Sequence, residues 1–117
     1  MAASSILSDP EFGLDGWIDC QTMATVLANK EPVLVVDVRN PEEFAGLHNH
    51  IEGARNIPLT LVTGAVPDLL KEDHRIVLVC DTDQYSRIAA SLLRQAGRRD
   101  ILVLRGGMDA WRRLASG

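Results

Sequence analysis

The sequence predicts an α/β fold with a small, mostly parallel central sheet and helices on both faces. Three short runs of apolar and largely β-branched residues, at 33–38, 75–80 and 101–104, have the composition of strands buried on both sides. A segment with helical spacing or a helix-start pattern follows each run after a short loop. Strands that alternate with helices in this way are typical of a covered parallel sheet, and 117 residues suffice for one such domain.

The N-terminal part of the chain divides into an extension and the start of the domain. Residues 1–15 mix serine, aspartate, proline and glycine without periodicity, which predicts a flexible N-terminal extension. The domain is then expected over residues 16–117. Its first predicted element is a short helix over residues 20–29, where the apolar residues share one face and Pro32 follows the end.

A strand, a capped helix and two weaker elements are predicted next. Residues 33–38 form the first strand. Asn40 is a good N-cap and Pro41 suits the first helical position, with two glutamates behind it, so a helix begins there. Residues 54–57 predict a second short strand. Residues 59–72 give a weaker helix pattern because a glycine and a proline interrupt it.

The C-terminal half repeats the strand-then-helix order twice. Residues 75–80 predict a buried strand, and the apolar residues over 86–96 share one helix face, with Gly97 where a C-terminal glycine belongs. Residues 101–104 predict a further buried strand. After a pair of glycines, residues 108–114 predict the last helix.

Composition and charge exclude several classes of function. The net charge is −4, with −6 over residues 1–58 and +2 over residues 59–117, and no stretch gathers five or six like charges. The sequence therefore predicts no nucleic-acid partner, and its longest apolar runs are too short to predict a membrane span. No basic residue precedes an apolar stretch at the N-terminus, so we expect a cytoplasmic protein rather than a secreted one.

The two cysteines differ in their surroundings. Cys20 and Cys80 lie sixty residues apart without a CxxC or a cysteine–histidine cluster, which predicts neither a disulfide framework nor a zinc site. Cys80 ends a predicted strand of the parallel sheet, where ligands bind in such folds. The loop from Asp81 to Tyr85 could wrap its N–H groups around an anion, and the helix from Ser86 would point its positive end inward, which favours a thiolate.

Other interpretations of these cysteines stay open at this point. A cysteine that ends a strand is often only a buried apolar residue, and we interpret Cys20 in that way. A cysteine phosphatase is disfavoured, because its C-x5-R signature would need an arginine at Ser86.

Three motifs in order resemble those of a known family. Residues 35–44 read VVDVRNPEEF, residues 50–58 read HIEGARNIP and residues 104–111 read LRGGMDAW. These segments look like the D-V-R-x-x-x-E-[FY], H-I-x-G-A-x-N-I-P and L-x-G-G-x-x-x-W segments of the single-domain rhodanese family. Cys80 stands where that family has its catalytic cysteine. From residue 17 to residue 111, the chain therefore resembles a rhodanese.

The resemblance implies a fold and an activity. The family has a small parallel sheet with helices on both sides, and its cysteine takes sulfur from a sulfane donor such as thiosulfate, holds it as a persulfide and passes it to a nucleophilic acceptor. No metal or organic cofactor takes part. By resemblance, Cys80 is the catalytic residue, and the partners are a small-molecule sulfane-sulfur donor or a protein that carries a persulfide or an acceptor thiol. The implied substrate-binding loop comprises Asp81, Thr82, Asp83, Gln84, Tyr85 and Ser86.

The loop departs from the family pattern in its charge. Active loops often read C-x-x-G-x-R-[ST], whereas Asp83 here replaces the glycine and Tyr85 the arginine. Carboxylates in this loop would repel a dianionic donor, so thiosulfate is expected to be a poor substrate. A second hypothesis follows: the fold could serve as an interaction or sensing module that binds a partner without turnover.

Two further polar pairs have structural interpretations. His48 and His50 lie in a segment with two more residues than the family usually has, and without a third ligand nearby they do not predict a metal site. Asp37 and Arg39 follow the first strand, and by resemblance we expect them to pair with each other and fix the neighbouring loops.

Overall fold

Five parallel strands form the sheet in the computed structural model, which describes residues 5–46 and 50–116. The strands lie in the order β1-β5-β4-β2-β3, and all four neighbouring pairs are parallel. The elements follow the chain as β1 (Trp17–Ile18), α1 (Cys20–Ala28), β2 (Val33–Asp37), α2 (Pro41–Phe44), β3 (Arg55–Asn56), α3 (Leu59–Leu70), β4 (Arg75–Val79), α4 (Gln84–Gln95), β5 (Leu102–Leu104) and α5 (Gly107–Ser116).

Successive residues of the central strands enter two separate cores. Val36 and Leu78 belong to the core under α3 and α4, while Val35 and Val77 belong to the core under α1 and α5. This alternation explains the continuous apolar runs, because both faces of β2 and β4 are buried. The predicted α/β fold with helices on both faces is confirmed. No helix in the described parts of the chain is long and apolar enough to cross a bilayer.

The structure differs from the sequence prediction at three elements. Helix α3 runs through Gly64 and Pro67 without a break, because its buried face, which includes Val62, packs on the sheet and outweighs the weak propensity. Helix α4 begins at Gln84, two residues before the predicted start. Strand β1 was not predicted, because two residues are too short to show a pattern.

Residues 5–15 pack on the domain. Leu7 is buried in the core under α1 and α5. The carboxylate of Glu31 accepts hydrogen bonds from the Ser5 hydroxyl and from the Leu7 N–H, and Arg75 donates to the carbonyls of Leu7 and Phe12. The division of the chain at residue 15 stays a prediction, but these contacts show that residues 5–15 cover part of the core.

The loop after β4 is held by the start of α5. The N–H groups of Met108 and Asp109 donate to the carbonyls of Cys80 and Asp81 at 2.8 and 2.9 Å. Gly107 has φ +58°, and a Cβ at this position would overlap the carbonyl oxygens of Cys80 and Thr82. Glycine is therefore required here, since only a residue without a side chain lets α5 approach the loop this closely.

Gly107→Ala is expected to destabilise the protein by more than about 3 kcal/mol, because the new methyl group must displace backbone at a positive φ. Gly64→Ala is the matched control: nothing lies within 4 Å of its Cβ position in α3, so it should raise stability by about 0.5–1 kcal/mol. Urea unfolding of both variants measures the difference. Equal stability of the two variants would contradict this packing of α5 on the loop.

Candidate active site

Cys80 lies between the end of β4 and the first turn of α4. Its thiol is almost fully buried and lies 3.3 Å from both the backbone nitrogen and the hydroxyl oxygen of Ser86. The Ser86 N–H is one of the N-terminal helix donors that have no partner inside the helix, and it points at the sulfur instead. A helix N-terminus and two possible hydrogen-bond donors therefore face the Cys80 sulfur.

The Ser86 hydroxyl has two partners for its single proton. It lies 3.2 Å from the Asp83 carbonyl, to which it can donate, while the Cys80 thiol donates to it. When the thiol loses its proton, the hydroxyl can turn and donate to the sulfur. Ser86 is fully buried, so no water competes for this role.

A polar cavity of about 340 Å³ opens over Cys80. Of the predicted loop residues, Asp83 and Ser86 do not line this cavity: Ser86 is fully buried, and Asp83 stands at the N-cap position of α4 without a side-chain hydrogen bond to the helix. Three residues from the end of β2 and the start of α2 complete the wall. The lining residues are Arg39, Asn40, Glu43, Cys80, Asp81, Thr82, Gln84 and Tyr85.

The wall of the cavity that follows β2 contains Arg39, which forms a buried ion pair with Asp37. Asp37 accepts hydrogen bonds from the backbone N–H, Nε and Nη2 of Arg39, the last at 2.8 Å, and both side chains are nearly inaccessible. The Asn56 amide donates to the carbonyls of Asp37 and Arg39. The expected pairing is confirmed. Nη1 of Arg39 also lies 3.7 Å from Asp81, so it partly neutralises that carboxylate.

Glu43 is a cavity residue that sequence reasoning missed. Its carboxyl shares a hydrogen bond with Asp81, and this bond, together with partial desolvation and the charge of Asp81, raises the pKa of Glu43. The sequence held one signal: Glu43 follows the end of a strand adjacent to β4, so it lies at the same sheet edge as Cys80.

Cys20 has a different environment. It is half-buried at the start of α1, where its thiol donates to the Arg105 carbonyl at 3.7 Å. Burial, and then the charge of Asp19, raise the pKa of Cys20 and so disfavour its thiolate.

The histidine segment provides no metal site in the described residues. His48 lies outside them. The ring of His50 stacks on Phe44 with 3.7 Å between centroids, and its Nδ1 lies 2.9 Å from the Phe44 carbonyl. Within residues 5–46 and 50–116, no three His, Cys, Asp or Glu side chains come together as a group that could hold a metal ion.

Comparison with known proteins identifies the family. Residues 21–114 match the rhodanese-like domain family. A sulfurtransferase of Allochromatium vinosum is 35% identical over 96 residues, which cover 82% of this chain and 87% of that protein. A thiosulfate sulfurtransferase of Pseudomonas putida is 34% identical over 92 residues, which cover 76% of this chain and 78% of that protein.

A solved structure supports the same assignment. The rhodanese-like domain of an Anabaena protein is 30% identical, with a TM-score of 0.73, over 85% of this chain and 74% of that chain. Some other bacterial relatives are longer, since the match covers 59% and 46% of their lengths. The fold and the cysteine site define an α/β protein of the rhodanese class. The chain belongs to the rhodanese-like sulfurtransferase family.

Glu43→Gln should relieve repulsion of an anionic donor at the cavity, and the effect should depend on pH. Below the raised pKa of Glu43 the side chain is neutral, so the variant and the wild type should use thiosulfate equally well. As the pH rises through that pKa, the wild type gains a charge and the variant does not. The ratio of kcat/KM, variant over wild type, should rise to about sixfold, as expected for a unit charge about 10 Å from a dianion at an effective dielectric near 60. A ratio that does not change with pH would exclude this role for Glu43.

Proposed function

We propose that this protein is a sulfurtransferase that carries sulfane sulfur as a persulfide on Cys80. The observation that carries the proposal is the position of the Cys80 sulfur, 3.3 Å from both donors of Ser86 and on the wall of a polar cavity. The same donors that stabilise a thiolate also lie beside the first sulfur of a persulfide. Membership of the rhodanese-like sulfurtransferase family supports the same chemistry.

The reaction divides into two displacement steps. In the first, the Cys80 thiolate attacks the outer sulfur of the donor, a new S–S bond forms, the donor's own S–S bond breaks, and the leaving group departs with the electron pair. With thiosulfate the leaving group is sulfite, and with a persulfide it is a thiolate. In the second step, an acceptor thiolate attacks the outer sulfur of the persulfide, and Cys80 leaves as the thiolate. No metal or organic cofactor is needed for either step.

Ser86 serves as a positioning residue in both steps. Its N–H remains directed at the Cys80 sulfur throughout, while its hydroxyl can donate to the sulfur when it is charged and to the Asp83 carbonyl when it is not. Each time Cys80 is released as a thiolate, these two donors are already in place. Such preorganised donors lower the cost of the charge that develops on the leaving sulfur.

The charges at the cavity favour a thiol-derived donor over thiosulfate. Asp81 and Glu43 line the cavity, and the nearby cation, Arg39, is already paired with Asp37. A dianion that enters this space is repelled, whereas a persulfide carries at most one charge at its reacting end. We therefore propose a persulfide on a small molecule or a protein as the preferred donor.

Cys80→Ser should abolish sulfur transfer from thiosulfate and from a small-molecule persulfide, because a serine hydroxyl cannot form the persulfide. The substitution is close to isosteric, so the thermal unfolding curve should remain cooperative. Cys20→Ser is the matched control and should keep transfer within about twofold of wild type, since the thiolate of Cys20 is disfavoured. Unchanged turnover in Cys80→Ser would end the proposal. Absence of transfer in the wild type itself would favour a module that binds a partner without turnover, which the acidic cavity also fits.

Tyr85→Arg should raise kcat/KM for thiosulfate by roughly tenfold, as expected for a cation about 8 Å from a dianion at an effective dielectric near 60. Tyr85 lines the cavity and is half exposed, so the longer side chain can be accommodated without repacking. Ile88→Arg is the matched control, because Ile88 is also exposed on α4 but does not line this cavity. Steady-state kinetics with thiosulfate tests both. An equal gain in the two variants would show that the net charge of the protein, rather than the cavity, controls the rate.

A further inference from the structure

We propose that a groove along α4 binds an acidic segment of the protein that receives sulfur from Cys80. The inference rests on the proposed function and adds the kind of acceptor. The groove has a volume of about 580 Å³ and lies between α4, β5 and the residues that lead into β1. Trp17 and Val103 lie on the sheet side, and Arg87, Ile88 and Arg94 lie on the helix side.

The groove adjoins the Cys80 cavity at Gln84. Gln84, the first residue of α4, lines both the groove and the cavity. A chain that lies in the groove therefore reaches the opening over Cys80 by passing this one residue. This shared residue distinguishes the α4 groove from two other cavities among the described residues, which have no lining residue in common with the Cys80 cavity.

The charges of the groove and of the cavity are opposite. Arg87 is exposed, and its side chain makes no hydrogen bond or ion pair with any residue that the structure describes. Arg94 lines the groove while its Nη2 donates to the Ile101 carbonyl, and the guanidinium of Arg105 lies 4.3 Å from the centre of the Trp17 ring. Among the described residues that line the groove, Asp15 is acidic.

Opposite charges on two sides of one opening would orient a partner. Asp81 and Glu43 repel acidic groups on the cavity side, and the arginines attract them on the groove side. An acidic segment would therefore lie along α4, and the thiol that follows it in the partner would face Cys80.

Exposed apolar side chains indicate a protein rather than a small anion. Tyr85 and Ile88 are 52% and 46% exposed and stand one turn apart on α4, beside the arginines. Tyrosine and arginine are enriched at protein interfaces, where an aromatic ring can be buried while a guanidinium pairs with a carboxylate. An inorganic anion would gain nothing from these apolar groups.

The experiment uses two fluorescent peptides of equal length, and each contains one cysteine. The first peptide is rich in glutamate, and the second has glutamine at every glutamate position. Fluorescence anisotropy at low salt measures how tightly the peptides bind to three proteins. These are the Cys80→Ser variant, which cannot react, and the two double variants that add Arg87→Glu or Lys71→Glu to it. The last variant is the matched control, because Lys71 is an exposed cation outside the groove. The glutamate peptide should bind Cys80→Ser about tenfold more tightly than the glutamine peptide, and Arg87→Glu should remove that preference while Lys71→Glu keeps it.

A second arm measures transfer from persulfidated protein to each peptide and to 2-mercaptoethanol in a single turnover. In the Cys80-containing protein, Arg87→Glu should lower the ratio of the rate to the glutamate peptide over the rate to 2-mercaptoethanol, and Lys71→Glu should not. Equal binding of both peptides, or an equal loss in the two charge variants, overturns the docking proposal. Failure of the wild type to form a persulfide overturns the proposed function instead, and the binding arm does not depend on it.

Discussion

The site depends on the close approach of α5 to the loop after β4. Because Gly107 has no side chain, the first N–H groups of α5 can bind the carbonyls of Cys80 and Asp81. Because α5 binds these carbonyls, the chain can turn directly from the loop into α4. The Ser86 N–H then reaches the Cys80 sulfur. Two helix N-termini thus act on one loop: α5 fixes its backbone, and α4 directs the Ser86 N–H at the Cys80 sulfur.

The chemistry of the cavity follows from how its charges are paired. Arg39, which would otherwise attract an anionic donor, is held by Asp37 and lies beside Asp81. Glu43 adds a second carboxyl, whose pKa is raised by its hydrogen bond with Asp81, by partial desolvation and by the charge of Asp81. In the proposed function, this opening disfavours small dianions, and Cys80 is the nucleophile. The basic groove along α4 then provides the attraction that the cavity lacks, and it acts on larger acidic partners.

Much of the fold could be predicted, since strands buried on both faces leave long apolar runs such as residues 75–80. Cys80 and its loop were found by their place after such a strand, and the pairing of Asp37 with Arg39 by family resemblance. Glu43 was missed because its place in the cavity depends on a contact with Asp81, and sequence spacing does not reveal that contact. The packing of Leu7 and the continuity of α3 through Pro67 depend on tertiary contacts that override local preference.

The most direct test of the central claim is the mass of the wild-type protein after exposure to a small-molecule persulfide, followed by removal of the donor and digestion. The peptide that contains Cys80 should gain the mass of one sulfur atom, and the peptide that contains Cys20 should not. Treatment with cyanide or an acceptor thiol should return the Cys80 peptide to its original mass. An unmodified Cys80 peptide, or sulfur found on Cys20 instead, would contradict the account of this site.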